Sequence, residues 1–326
     1  MKLRELGEFG LIDRIAARAS CNSGVKIGIG DDAAAIEPTT GLVTLITTDM
    51  LVEGVHFDLA FSDPVSLGRK SLAVNLSDIA AMGGMPRYFL LSLAVPHHIA
   101  VEFLDGFMVG LLEMGERFGV SLIGGDTSSS GKGMIISITV IGEQSPDLVV
   151  TRRGARPGDL ICVTGTLGDS ALGLSLLKRG VRDGLAISRH LDPTPRVREG
   201  IRLAEARLPS AMIDISDGLL ADLGHILDLS GAGARLFLDK LPLSADYLEK
   251  CSATGEDIYS LPLSGGEDYE LLFTAPPGKI ATVQSVLMGI GSGCAVIGEI
   301  TAAGLNLLTA SGVEYTPVEW GYNHFS

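Results

Sequence analysis

Aromatic residues are scarce in this sequence, at 5% of 326 positions with a single tryptophan. Its cores must therefore be built from Ala, Val, Ile and Leu, as α/β layers are. Blocks of Lys and Arg are absent and the net charge is −14. A basic surface is what non-specific binding to DNA, RNA or anionic lipid requires, so nucleic acid and membrane surfaces are excluded as partners. Phosphate ligands stay open, provided cations intervene. Cysteine is sparse: Cys21, Cys162, Cys251 and Cys294 form no C-x-x-C and no zinc spacing with His, which reads as buried thiols in a reducing compartment. The apolar run Phe89–Val95 falls far short of the ~20 residues that span a bilayer. Met1–Glu8 is too charged for a signal peptide. A soluble, cytoplasmic protein is expected. There is also no G-x-x-x-x-G-K-[ST], hence no phosphate loop of that kind.

What the sequence does have is aspartate at the ends of apolar runs. Asp78 lies in Val74-Asn75-Leu76-Ser77-Asp78-Ile79-Ala80-Ala81-Met82-Gly83-Gly84, an alanine-rich helical stretch stopped by a glycine pair. Four further stretches repeat the pattern: Gly28-Ile29-Gly30-Asp31-Asp32, Ile46-Thr47-Thr48-Asp49, Ile123-Gly124-Gly125-Asp126 and Ile213-Asp214-Ile215-Ser216-Asp217-Gly218. A single such aspartate reads as a turn former or helix cap. Five together point to a cluster of divalent cations. Carboxylate and hydroxyl oxygens suit Mg²⁺, which bridges them to substrate phosphates. Gly28–Ala33 also has the form G-x-G-x-x-A, but Asp31 and Asp32 stand where a dinucleotide pyrophosphate must approach, and their charge repels it.

The chain divides into two mixed α/β halves, 1–148 and 149–326, at the Ser-Pro and Arg-Pro-Gly punctuation around 143–157. In the first half, strands are expected at Val25–Ile29, Leu42–Thr47, Leu90–Val95, Val120–Ile123 and Met134–Gly142. Helices are expected at Glu8–Ala19, from Pro64 through Asp78, and at Val101–Phe118. In the second, strands are expected at Asp159–Thr164, Met212–Ile215, Arg235–Leu238, Tyr269–Phe273 and Cys294–Ile297, and helices near 170–178, 195–206, 217–229, 245–251 and 279–287. Gly165–Gly173 enters a helix and either lends N–H groups to a phosphate or is a glycine turn with a capped helix. Arg152 is a candidate phosphate contact, since guanidinium matches phosphate geometry. Ser264-Gly265-Gly266-Glu267-Asp268-Tyr269-Glu270 precedes an apolar strand and reads as a cleft-facing loop or a polar turn. His56 has no Cys or Ser partner nearby.

Taken together, these stretches and the closing Gly321-Tyr322-Asn323-His324-Phe325 resemble the thiamine-monophosphate kinase family, over nearly the whole chain. Asp-Ile-Ser-Asp-Gly-Leu, Ser-Gly-Gly-Glu-Asp-Tyr-Glu and Gly-Tyr-x-His-Phe are the more family-specific parts. The wider group of aminoimidazole-ribonucleotide synthetase-like enzymes shares only the aspartate-and-glycine plan. The resemblance implies an N-terminal α/β domain that binds metal and ATP and dimerises by joining sheets into a barrel, with a C-terminal α/β domain. It implies transfer of the ATP γ-phosphate to thiamine monophosphate by a homodimer. By motif, Mg²⁺ ions would be held by Asp32, Thr47, Thr48, Asp49, Asp78, Asp126, Asp214 and Asp217, of which Asp78, Asp126 and Asp217 would be catalytic. ATP would meet Gly125, Asp126, Arg152 and Ser216; thiamine monophosphate would meet His56, Glu267 and Tyr322. Asp31 would stand behind Asp32, supporting the ligands without touching the ion. The competing readings are another ATP enzyme of the wider group, such as aminoimidazole-ribonucleotide synthetase, and a non-catalytic sensor of Mg-nucleotide or thiamine phosphate.

Overall fold

A computed structural model describes residues 3–20, 24–254 and 257–322. They fall into two units, Met1–Ile79 with Gly84–Pro146, and Ala80–Gly83 with Asp147–Ser326. The first contains α1 (Leu3–Ala16), β1 (Val25–Ile27), β2 (Ala35–Ile36), β3 (Val43–Val52), α2 (Pro64–Ala81), β4 (Met85–Pro96), α3 (Val101–Phe118), β5 (Ser121–Ser130) and β6 (Ile135–Gln144). The last turn of α2 and the glycine after it group with the second unit.

Four of these strands form one sheet in the order β3-β6-β4-β5, antiparallel except for β4 against β5. The period-2 alternation of β4 and β6 buries Leu91, Leu93, Val95, Ile136, Ile138 and Val140 on one face. The helical periodicity of α3 buries Leu104, Phe107, Leu111 and Met114, and α2 buries Leu72, Leu76 and Ile79. α2 and α3 cross with their backbones in contact: a Cβ on Gly68 would lie 2.0 Å from the Phe107 carbonyl oxygen, and one on Gly110 1.8 Å from that of Val65. The other face of the sheet is exposed at β3, with Ile46 69% and Met50 57% accessible.

Two strands are longer than the sequence suggests. β3 runs on past Thr47 to Val52 because β6 pairs with it throughout, from Val43↔Gln144 to Val52↔Ile135. β5 continues through Gly-Gly-Asp-Thr to Ser130 because β4 supplies parallel partners for every step. Asp49 and Asp126 are therefore strand residues, not turn residues. α1 starts earlier than expected and tolerates Gly7 at φ 72° within it.

The second unit contains β7 (Leu160–Thr164), α4 (Asp169–Lys178), α5 (Leu185–Leu191), α6 (Val197–Glu205), β8 (Ala211–Asp214), α7 (Leu219–Ser230), β9 (Gly233–Phe237), α8 (Ala245–Thr254), α9 (Ser260–Ser264), β10 (Leu271–Ala275), α10 (Ile280–Met288), β11 (Cys294–Thr301) and β12 (Leu305–Leu308). Its six-stranded sheet has the order β12-β9-β11-β7-β10-β8. Ile161, Val163, Ile213, Leu236 and Leu272 from the sheet pack with Leu219, Leu223 and Ile226 of α7. The short α5, α9 and β12 were not expected. The strand expected at Tyr269–Phe273 begins at Leu271, because Glu267 and Tyr269 both have positive φ, at 66° and 50°. The α/β class expected from the sequence is the observed one. Among the described residues no helix is long and apolar enough to cross a membrane. Cys162 and Cys251 are buried and Cys294 is partly buried, none of the three in a disulfide; Cys21 lies outside the described residues.

Candidate functional site

In the first unit the functional groups sit where the last turns of α2 meet β3. The Thr47 hydroxyl donates to Asp78 Oδ2. One step along the same face of β3, the Asp49 N–H donates to Asn75 Oδ1 at 3.1 Å. The Asn75 amide in turn donates to the Ser71 carbonyl at 3.3 Å, so the helix itself fixes its orientation. These bonds bring two carboxylates together in a partly dry place. Burial and then the neighbouring Asp78 charge push Asp49 up to about 7. Two carboxylates that repel each other this way form an anionic, all-oxygen pocket suited to a hard cation.

The structure brings together fewer of the aspartates than the sequence pattern implies. Among the described residues no three His, Cys, Asp or Glu side chains gather into a metal-holding group. The strand ladder aligns Met50, Ser137, Ser92 and Asp126 in one row. Asp126 is thus on the exposed face, one residue out of phase with Asp49. Thr48 shares that face, where its hydroxyl lies 3.0 Å from that of Thr139. Asp31 and Asp32 are exposed, with the Asp32 N–H on Asp31 Oδ1 at 2.8 Å. A two-carboxylate pair still fits Mg²⁺, which takes one or two carboxylates and completes its octahedron with water and substrate phosphates. His56 closes the end of β3, its Nδ1 accepting the Val52 N–H at 3.1 Å. That bond leaves Nε2 as the protonated nitrogen of the neutral ring.

In the second unit three separated stretches converge on one turn. Ser216-Asp217-Gly218 joins β8 to α7, and the Ser216, Asp217 and Gly218 N–H groups all donate to Asp222 Oδ2, at 3.0, 3.1 and 3.1 Å. Asp222 is buried in the first turn of α7, and burial pushes it up to about 7 even against those three bonds. The turn carbonyls receive the other two stretches: Ser216 accepts the Glu267 N–H at 2.8 Å, and Asp217 the Tyr322 N–H at 2.9 Å. The fit is tight enough to demand glycine. A Cβ on Gly266 would lie 2.4 Å from the Ser216 carbonyl oxygen, and one on Gly321 2.5 Å from the Ala221 methyl. Asp214 is buried at the end of β8, while Asp217 and Ser216 are partly exposed; Tyr322 and Arg152 are exposed.

Each acidic residue after Gly266 is held by a different element. The Asp268 carboxylate accepts the Gly168 and Ser170 N–H groups at 2.8 and 3.3 Å, and burial raises it to about 8. Glu270 takes two bonds from Arg196, Nε at 2.6 Å and Nη2 at 2.5 Å, and the Thr164 hydroxyl at 2.7 Å. Burial alone would lower the Arg196 pKa, but Glu270 outweighs it and the net shift is upward. The Gly165–Gly173 turn is therefore a capped helix start. Asp268 has taken the Gly168 and Ser170 N–H groups and Pro242 that of Leu167, at 2.9 Å, so those three are not available to a phosphate. Sequence reading missed Asp222, Asp268, Glu270, Arg196 and His190 as parts of this framework. Asp268 and Glu270 stand in the Ser264–Glu270 stretch quoted above, without these roles; of the other three, Asp222 left a trace, an acid set among Leu219, Leu220 and Leu223 on an apolar helix.

The chain matches family models described as AIR synthase related protein, N-terminal domain, over residues 30–144, and C-terminal domain, over 156–308. It is 40% identical to the thiamine-monophosphate kinase of Escherichia coli K12 across 98% of both chains. Among solved structures it is similar to thiamine-monophosphate kinase from Stenotrophomonas maltophilia K279a, at 36% identity and a TM-score of 0.83, covering 91% of this chain and 95% of that one. It is also similar to AaThiL complexed with AMPPCP and TMP, at 36% identity and a TM-score of 0.77, covering 99% of both.

Proposed function

The chain belongs to the thiamine-monophosphate kinase family, and we propose that it transfers the γ-phosphoryl group of ATP to thiamine monophosphate with the help of Mg²⁺, giving thiamine diphosphate and ADP. The observation that carries this reading is the meeting of the three family-specific stretches at the Ser216–Gly218 turn, where the Glu267 and Tyr322 N–H groups donate to the Ser216 and Asp217 carbonyls. The alternatives, aminoimidazole-ribonucleotide synthetase and a non-catalytic sensor, have no feature that favours them over a full-length likeness of this kind.

In the reaction, a terminal phosphate oxygen of the acceptor forms a bond to the γ-phosphorus as the bond to the β-bridging oxygen breaks. A phosphate monoester has its second pKa near ~6, so the attacking oxygen is already ionised at neutral pH and no general base is needed. Alignment and charge neutralisation do the rest. Bound Mg²⁺ supplies positive charge to the phosphate oxygens. Asp49 and Asp78 are the proposed anchors of one ion, with Thr47 beside them, and Asp32, Thr48, Asp126, Asp214 and Asp217 are proposed oxygen donors to further Mg²⁺ ions. Gly125, Asp126, Arg152 and Ser216 are the proposed ATP contacts, and His56, Glu267 and Tyr322 the proposed contacts of thiamine monophosphate. The same proposal places the protein in the cytoplasm, where ATP is made, and makes it a homodimer through the exposed face of the first sheet.

Phosphorus NMR of the purified protein with ATP, Mg²⁺ and thiamine monophosphate tests the reaction. Thiamine diphosphate should appear in step with ADP and stop on chelation. Asp78→Asn and Asp126→Asn should lose turnover while keeping wild-type circular dichroism; near-normal rates in both would overturn the metal assignment.

A further inference from the structure

Glu267 is held in the left-handed region at φ 66°, as is Tyr269 at φ 50°. Non-glycine residues stay there only where the surroundings over-determine them, and such places concentrate at ligand sites. Here the backbone N–H groups of both residues are pinned to the Ser216 and Ile215 carbonyls at 2.8 Å. The Glu267 carboxylate has a side-chain partner: its Oε2 lies 3.3 Å from Nδ1 of His190, near the C-terminus of α5. The His190 side chain is 3% exposed and that of Glu267 is 23% exposed, so the ring is buried behind a carboxylate that still reaches solvent. The same Nδ1 lies 3.1 Å from the Ser170 hydroxyl oxygen.

An ionised carboxylate can only accept, so the contact between Glu267 and His190 is attractive in the tautomer that places the proton on Nδ1. In that tautomer Nδ1–H faces Glu267 and the Ser170 hydroxyl together. Glu267 itself carries negative charge, so it repels a phosphate and attracts a cation or an N–H donor. We propose that His190 is a positioning residue that fixes the Glu267 carboxylate, and that Glu267 recognises the amino-bearing pyrimidine ring of the acceptor through its N–H donor, not the acceptor's phosphate. This rests on the reading that the Glu267 site takes thiamine monophosphate. It makes the pair the element that tells this acceptor from other phosphate monoesters.

The test is steady-state kinetics on the full chain with both substrates varied. His190→Ala should raise KM for thiamine monophosphate about tenfold, the worth of a hydrogen bond to a charged group, with KM for ATP unchanged. His190→Asn, whose amide N–H stands near the place of Nδ1–H, should return KM to within about threefold of wild type, since it restores the donor. In a Glu267→Gln background, His190→Ala should add no further loss. Equal rises in both KM values, or failure of His190→Asn to rescue, would make His190 merely structural and overturn the proposal. If His190→Ala does not fold, the wild-type ring decides: long-range ¹⁵N–¹H spectra should show His190 protonated at Nδ1 and should change in Glu267→Gln. A ring protonated only at Nε2 would overturn the contact. That spectrum is read without turnover, so an absence of thiamine diphosphate would refute the kinase reading separately.

Discussion

The Arg196–Glu270 pair offers a quantitative test of how the second unit holds its acidic segment. Glu270 is 4% exposed and receives two guanidinium bonds and one hydroxyl bond. Arg196 is 15% exposed and has a second carboxylate, Glu199, at 3.5 Å. The two truncations are therefore unequal. Arg196→Met leaves a buried carboxylate with one hydroxyl for company, and removing one partner of a buried pair costs ~3–5 kcal/mol. Glu270→Met leaves an arginine that keeps Glu199 and some solvent, and costs less. Changing both to methionine removes the stranded charge, and apolar replacement of a buried pair is often close to neutral. The remaining loss is the Thr164 hydroxyl bond, ~1 kcal/mol. At ~2–4 °C per kcal/mol for a unit of this size, Arg196→Met lowers Tm by about 10 °C and the double variant recovers most of it. Thermal melts by circular dichroism, with amide exchange in β7 and β10 to locate the loss, give the comparison. A loss below ~1 kcal/mol for Arg196→Met, or a double variant worse than the sum of the singles, would refute the reasoning.

Two further outcomes follow from the first unit. In metal-free protein, burial and the Asp78 charge raise Asp49 from its ordinary 3.8 to about 7. Between those values the folded state binds more protons than the unfolded one, so Asp49 makes stability fall as pH rises through that window. Asp222 and Asp268, raised to about 7 and about 8, add to the same slope. Only the Asp49 share should be offset by Mg²⁺, which binds the ionised form. Tm measured from pH 5 to 8 with Mg²⁺ and with chelator should show a metal gain that grows with pH and shrinks in Asp49→Asn; a gain independent of pH would count against the site. For the exposed sheet face, Ile46→Asp with Met50→Asp should turn a dimer into a monomer by sedimentation velocity, and a dimer that persists would exclude this face.

The sequence made α2, its glycine stop and the three family-specific stretches legible because those signals are local. Gly83 at φ 69° ends the helix as a glycine after an apolar run should. The lengths of β3 and β5 were not legible. Thr-Thr-Asp and Gly-Gly-Asp-Thr-Ser look like turns, and they are strands only because partners some ninety or thirty-five residues away complete their ladders. Likewise the roles of Asp268 and Glu270 depend on Gly168, Ser170 and Arg196, far off in sequence.

The composition hides the same distinction. A chain with net charge −14 has many carboxylates, and a motif names them all alike. The structure divides them by what answers their charge. Asp222 and Asp268 are answered by backbone N–H groups and Glu270 by a guanidinium; their work is internal, and it sets the shape of the Ser216–Gly218 turn and the segment beside it. Burial and a neighbouring carboxylate raise Asp222, Asp268 and Asp49 alike, but Asp222 and Asp268 have backbone N–H bonds that oppose the shift, whereas Asp49 is raised by burial and Asp78 with no such bond set against them. A fold stabilises an arrangement of the second kind only at a cost, and the cost is recovered when a cation arrives. That contrast supports Asp49 and Asp78 as the proposed anchors of a cation, while Asp222, Asp268 and Glu270 work through the shapes they hold.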